Sequence, residues 1–190
     1  MEKLKDFDKN YTYVKDESRD TIHREGLWHE TFHCWLVDEQ FVYIQKRSAI
    51  KKDYPNLFDI TAAGHILATE TIEEGIREVE EELGIAVDFS KLHAKGVVRD
   101  RIELPGFHDN EYANVFLYES TFLPSDFSLQ REEVESVHTV KREAFVQLCL
   151  NKIKTVTCRN IFDDTSVEIG LSDFVPHEHT YFEEIARIVK

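Results

Sequence analysis

The sequence predicts an α/β chain of the α+β kind: a mixed β-sheet flanked by helices, built as an α/β/α sandwich. Three observations predict it. Runs rich in β-branched and aromatic residues recur along the chain, one strongly periodic helical stripe stands among them, and further helical stretches follow toward the C-terminus. The 190 residues suffice for one domain with a full core, and 42% of them are apolar.

Residues 1–28 are polar and charged with scattered aromatics, which fits a small hairpin or an extension packed on the domain. Residues 31–37 and 41–45 alternate as β-rich runs around Asp38-Glu39-Gln40 and read as a hairpin. A basic loop, 46–56, leads to a short strand at 57–63 that ends at Gly64. Residues 70–84 predict a helix, because Ile72, Ile76, Val79 and Leu83 form one stripe; Gly84 stops it, and Thr69 or Thr71 caps its start. Strands are expected at 94–100, 112–119 and 134–140, and helices at 141–150 and 178–189. The whole reads as a single domain, with a 1–28 extension, a core over 29–148 and a C-terminal extension over 149–190.

The formal net charge is −14 at pH 7. Such a field disfavours nucleic acid and anionic membranes as partners and favours divalent cations. Cys34, Cys149 and Cys158 form no CxxC motif and read as reduced thiols. No stretch approaches 18 apolar residues and the N-terminus lacks an apolar leader, so the expected location is cytoplasmic.

The chemistry concentrates in Arg77-Glu78-Val79-Glu80-Glu81-Glu82-Leu83-Gly84-Ile85. Glu78, Glu81 and Glu82, at i, i+3 and i+4, share an arc of roughly 100° on the helix, opposite the apolar stripe. Like charges so placed repel. Bound Mg²⁺ (or Mn²⁺) would offset that repulsion and bridge to phosphate oxygens. A solvated acidic face is the plain alternative; what weighs against it is the surrounding order of strand, Gly64, loop, Glu70 and helix.

That order resembles the signature of the Nudix hydrolases, G-x5-E-x7-R-E-U-x-E-E-x-G-U, with Gly64, Glu70, Arg77, Glu78, Val79, Glu81, Glu82, Gly84 and Ile85 supplying its parts. Here six residues, not seven, separate Glu70 from Arg77, which puts their pairing in question. The resemblance implies that Glu78, Glu81 and Glu82 ligate metal, that Arg77 orients, and that the substrate is a nucleoside diphosphate derivative or another small diphosphate. It also admits a homodimer. Leu27-Trp28-His29-Glu30-Thr31-Phe32-His33, Gln45-Lys46-Arg47-Ser48, the run from Phe58 to His65, and Asp109-Asn110-Glu111 resemble the branch containing type 1 isopentenyl-diphosphate isomerases and their hydrolase relatives, over roughly residues 25–148. In that branch His29, His65, Asp109 and Glu111 match positions of a second metal site, Glu111 is a candidate general base, and Arg47 and Gly64 lie on the substrate side. The isomerase needs a cysteine where this chain has Ala63, which ranks isomerisation below hydrolysis and below a non-catalytic diphosphate-binding module.

Other residues carry an alternative each. Glu132 and Glu133 are further base candidates or surface acids; Lys46, Lys51 and Lys52 are phosphate contacts or solvated loop. His33 is expected in the core; Trp28 and Trp35 could stack on a base, with core or interface favoured for Trp35; His177 and His179 could bind metal but are expected as polar surface beside the last helix.

Overall fold

The computed structural model describes residues 2–190. Eleven strands form one sheet: β1 (Lys3–Phe7), β2 (Tyr13–Ser18), β3 (Trp28–Val37), β4 (Phe41–Arg47), β5 (Phe58–Asp59), β6 (Ala62–His65), β7 (His93–Leu104), β8 (Phe107–Glu119), β9 (Val134–Lys141), β10 (Val156–Asn160) and β11 (Ser166–Ile169). The helices are α1 (Arg19–Glu25), α2 (Arg77–Leu83), α3 (Arg142–Cys149) and α4 (His179–Ile188). The sheet is mixed: β3 runs parallel to β8 from Trp28↔Asn110 to Val37↔Glu119, and the other pairings are antiparallel.

Alternation along β3 splits the core in two. Phe32, Cys34 and Leu36 face Val79, Leu83 and Ile85 around α2. Trp35 and Val37 face Phe145, Leu148, Tyr181 and Ile185 of α3 and α4. This is the layered α/β/α arrangement. The face that buries Trp35 also carries His29, Thr31 and His33 nearer the start of β3, so one side of one strand passes from polar to apolar.

The extension at 1–28 does contain a hairpin, β1–β2, whose first strand joins β3 at Phe7↔Trp28. It also contains α1, which the sequence reading missed: seven residues are too few to show a stripe. Ser18 caps it by accepting from Thr21 N. The β3–β4 hairpin is shallower than expected. The strands pair at Val37↔Val42 and diverge, letting β6 pair with β3 over Thr31–Cys34 and β9 pair with β4. The helix expected at 70–84 is shorter, because 73–76 form a 3-10 turn and regular α-helix begins only at Arg77. Close packing explains the turn: a Cβ on Gly75 would stand 2.8 Å from that of Phe32. Thr71, not Thr69, caps this segment, exchanging hydrogen bonds with Glu74. Gly84 ends α2 at φ 70°, and its N–H reaches the Glu80 carbonyl at 2.9 Å. Strands β10 and β11 were not anticipated; they extend the sheet beyond β9. All three cysteines are free and buried, and no helix is long and apolar enough to cross a membrane among the described residues.

Candidate active site

A cavity of about 860 Å³ opens between α2, the early ends of β3 and β8, the 47–54 loop and residues 175–177. It collects Arg47, Gly64, His65, Arg77, Glu78, Glu81, Glu82 and Glu111, the residues singled out above, and adds His23, Tyr54, Asp59, Phe107 and His177.

Its acidic wall is α2. Val79 and Leu83 anchor the helix in the core, which turns Glu78 and Glu82 toward β6 and leaves Glu81 at the mouth. Glu82 is only 5% exposed; its Oε2 accepts from Gln45 Nε2 at 3.1 Å and Ala63 N at 3.3 Å. Burial, with Glu78 nearby, pushes its carboxyl up to about 8. Burial also raises Glu78. Gly64 is required by proximity: a Cβ there would lie 2.1 Å from Glu78 Cδ.

Arg77 holds this wall together. It takes Glu70 bidentately, Nε to Oε1 at 2.7 Å and Nη2 to Oε2 at 3.1 Å, and reaches Glu78 at 2.6 Å, Glu81 at 3.2 Å and the His65 carbonyl at 3.1 Å. The Glu70–Arg77 pair therefore forms despite the shortened spacing. The 3-10 turn, with its longer rise per residue, recovers reach that an unbroken α-helix would lose.

The opposite wall is a histidine cluster. One donor atom each from His23, His29, His65 and Asp109 lies within 4.8 Å of the others. His23 Nε2 is 3.1 Å from His65 Nε2 and 3.4 Å from Asp109 Oδ1; His29 Nε2 is 3.3 Å from the same oxygen. His29 Nδ1 faces the Leu27 carbonyl at 3.2 Å, which directs Nε2 into the cluster. His29 Nε2 and Asp109 Oδ1 are both buried and face each other in an ion-pair contact without hydrogen-bond geometry. Burial and the neighbouring His29 keep His65 well below its usual range, leaving a neutral ligand. Burial opposes ionisation of Asp109, yet His23 and His29 hold it well below the usual carboxylate range. Residues 64–65 join the two walls: Gly64 lies under Glu78, while His65 gives its carbonyl to Arg77 and its ring to the cluster.

The NUDIX domain model matches residues 27–157. The chain belongs to the Nudix family. An uncharacterized Nudix hydrolase of Clostridium acetobutylicum is 32% identical over 95% of this chain and 93% of its own length. An isopentenyl-diphosphate Delta-isomerase of Brevibacterium linens is 31% identical over 53% of this chain and 57% of its own. The crystal structure of a MutT NUDIX hydrolase from Burkholderia pseudomallei overlays with a TM-score of 0.50 at 19% identity, covering 61% of this chain and 84% of that one, a likeness of fold. This Nudix chain thus shares its fold and family with hydrolases and carries a weaker likeness to the isomerase branch.

Several residues stand differently from expectation. Arg47 lines the cavity with its guanidinium engaged by Asp59 at 2.9 Å and by the carbonyls of Asp53 and Tyr54. Glu111 lies outside the His23–His29–His65–Asp109 cluster; its Oε2 is 3.2 Å from His33 Nε2. His33, in the core as expected, also meets the Tyr181 hydroxyl at 2.8 Å. His177, expected at the surface, is buried: Nδ1 meets Asp100 at 2.5 Å and Nε2 meets Asp59 at 3.1 Å, because the chain before α4 turns back over β5. His179 is exposed. Glu132 and Glu133 reach the mouth, with Glu133 paired to Lys51. Lys46 lies away from the cavity; Trp35 is core, and Trp28 packs on Tyr112 under Arg99. His23 sits in no motif and is recruited only by folding; Gln45 belongs to the Gln45-Lys46-Arg47-Ser48 run, but its hydrogen bond to Glu82 is visible only in the fold.

Proposed function

We propose that this Nudix chain is a metal-dependent diphosphohydrolase acting on a nucleoside diphosphate derivative or a related small diphosphate. The observation that carries the reading is the gathering of Glu78, Glu81 and Glu82 on one wall of a cavity, where burial and the neighbouring carboxylates raise Glu78 and Glu82. Oxygen donors at one locus suit Mg²⁺ or Mn²⁺. The opposite wall fits a second divalent ion, since four donor atoms converge there, and its nitrogen-rich donor set suits Mn²⁺ or another transition metal better than Mg²⁺. Bound there, such ions supply charge neutralisation for the diphosphate and for the attack of water on phosphorus. The protein's own part is to place groups. Arg77 aligns Glu78 and Glu81, Gln45 and the Ala63 N–H fix one oxygen of Glu82, and Glu111, backed by His33, stands ready to take a proton from water.

Isomerisation is disfavoured by the absence of a thiol. Ala63 occupies the position the isomerase branch gives to cysteine, and Cys34 sits across from Ala62 on the α2 side of the sheet with burial pushing its thiol up to about 12. No cysteine lines the cavity among the described residues.

The deciding experiment is hydrolysis across a diphosphate panel that includes isopentenyl diphosphate, with Mg²⁺ and Mn²⁺ and with Glu82→Gln as control. Metal-dependent release lost in the control supports the hydrolase. Tight binding without release points to a binding module, and an allylic product to the isomerase.

A further inference from the structure

Tyr54 is built unlike an ordinary loop residue. Its φ is +54°, in the left-handed region, and Asn56 two residues on stands at +63°. A bulky non-glycine residue holds that conformation only where its surroundings impose it. The surroundings here are a buried ionic chain that starts on the C-terminal segment. Asp100 accepts the Glu178 N–H at 2.9 Å and binds His177; His177 binds Asp59; Asp59 binds Arg47; Arg47 donates to the carbonyls of Asp53 at 3.0 Å and Tyr54 at 3.2 Å. The chain fixes the loop backbone at the residue under strain.

What the strain presents is a hydroxyl. The Tyr54 ring stands edge-on to Phe107 at 6.3 Å, and Phe107 stacks at 4.8 Å on His23 of the histidine cluster. The Tyr54 hydroxyl is buried and has no hydrogen-bond partner. A buried hydroxyl left unpaired costs stability, and here the ionic chain holds it on a strained backbone with no partner among the described residues. Burial, with Asp109 and Glu111 nearby, raises its pKa well above the usual phenol range, which leaves it a neutral donor. The hydroxyl is a free donor on the lining of the cavity, available to an anionic oxygen that enters it.

We propose that Tyr54 is a substrate-binding residue whose hydroxyl donates to a phosphoryl oxygen of the diphosphate, and that the ionic chain from Asp100 to Arg47 exists to hold it there. The assignment rests on the diphosphohydrolase reading for its ligand class, and it makes Arg47 act on substrate through the loop rather than by direct contact.

The test compares wild type with Tyr54→Phe, which keeps the ring and deletes only the hydroxyl. Methylenediphosphonate with Mn²⁺ serves as a non-hydrolysable probe in calorimetry. We expect about tenfold weaker binding in the variant, the usual scale for a lost hydrogen bond to a charged group, with Tm unchanged or raised because the hydroxyl lacks a partner in the free protein. Equal affinity, no binding to wild type, or a fall in Tm would each overturn the assignment. Failure of the hydrolase reading is seen separately, as no Glu82-dependent turnover across the panel while the probe still binds.

Discussion

Glu82 is buried beside Glu78 with its carboxyl raised to about 8 from an ordinary 4.5. Its folded form therefore holds a proton more tightly than its unfolded form. The associated stability is fully present below about pH 4.5 and is lost as pH rises through about 8. Glu82→Gln should then raise the Tm of the metal-free protein at pH 8 while cutting metal-dependent hydrolysis by more than about 100-fold, beyond what outer-shell changes typically cost; thermal melts and initial rates check both. Gly64→Ala makes a different point. The added Cβ displaces the mobile end of Glu78 rather than backbone. Tm should change little, but a displaced carboxylate should lower turnover by about 100-fold. Unaltered turnover would show that Glu78 need not sit where it does.

At the scale of elements, α1 and the segment before α4 matter most, and both lie outside the residues matched by the NUDIX model. Helix α1 brings His23 to the cluster. His23→Ala should abolish the tighter of the Mn²⁺ sites seen by calorimetry while leaving binding at the α2 carboxylates, and two unchanged sites would contradict the assignment of His23 as ligand. The segment before α4 brings His177, which burial disfavours as a cation but which Asp100 and Asp59 raise to about 10. Its contribution is present below about pH 6.5 and is lost as pH rises through about 10. The wild-type Tm should fall across that window. His177→Gln, which removes the cation between the buried carboxylates of Asp59 and Asp100, should lose roughly 3 kcal/mol at pH 7 and show a flatter profile. Neither contribution was legible in the sequence, because His23 and His177 show no spacing that points to a partner. Each earns its role from a residue far away in the chain.

Over the whole molecule, charge and topology act together. A chain of net charge −14 concentrates carboxylates in this cavity; the proposed diphosphate would enter it as a polyanion, and divalent ions would reconcile the two. The folded state alone assembles the sites, so saturating Mn²⁺ should stabilise it by mass action, about 2.7 kcal/mol at a hundredfold excess over Kd. A Tm indifferent to Mn²⁺ would remove the metal from the reading. The divergence of β3 and β4 makes room for β6, and with it brings Gly64 and His65 between the two walls.

Read by itself, the sequence determined the layered α/β/α class, the carboxylate helix with its glycine stop, and the membership of Gly64, His65 and Glu111 in one neighbourhood. The first two are local or periodic and are written into adjacent residues; Glu111 joins Gly64 and His65 only through the family resemblance. Only the tertiary structure decided that Glu70 still reaches Arg77 across a shortened loop, that His23 completes the histidine wall, and that Arg47 is held by Asp59 and His177. These depend on the register of β3 against β6 and β8 and on where the C-terminal segment turns back. The Glu70–Arg77 pair turns on the 3-10 geometry between them, while contacts such as His23–His65 and Asp59–His177, 42 and 118 positions apart, leave no mark on the spacing of either partner.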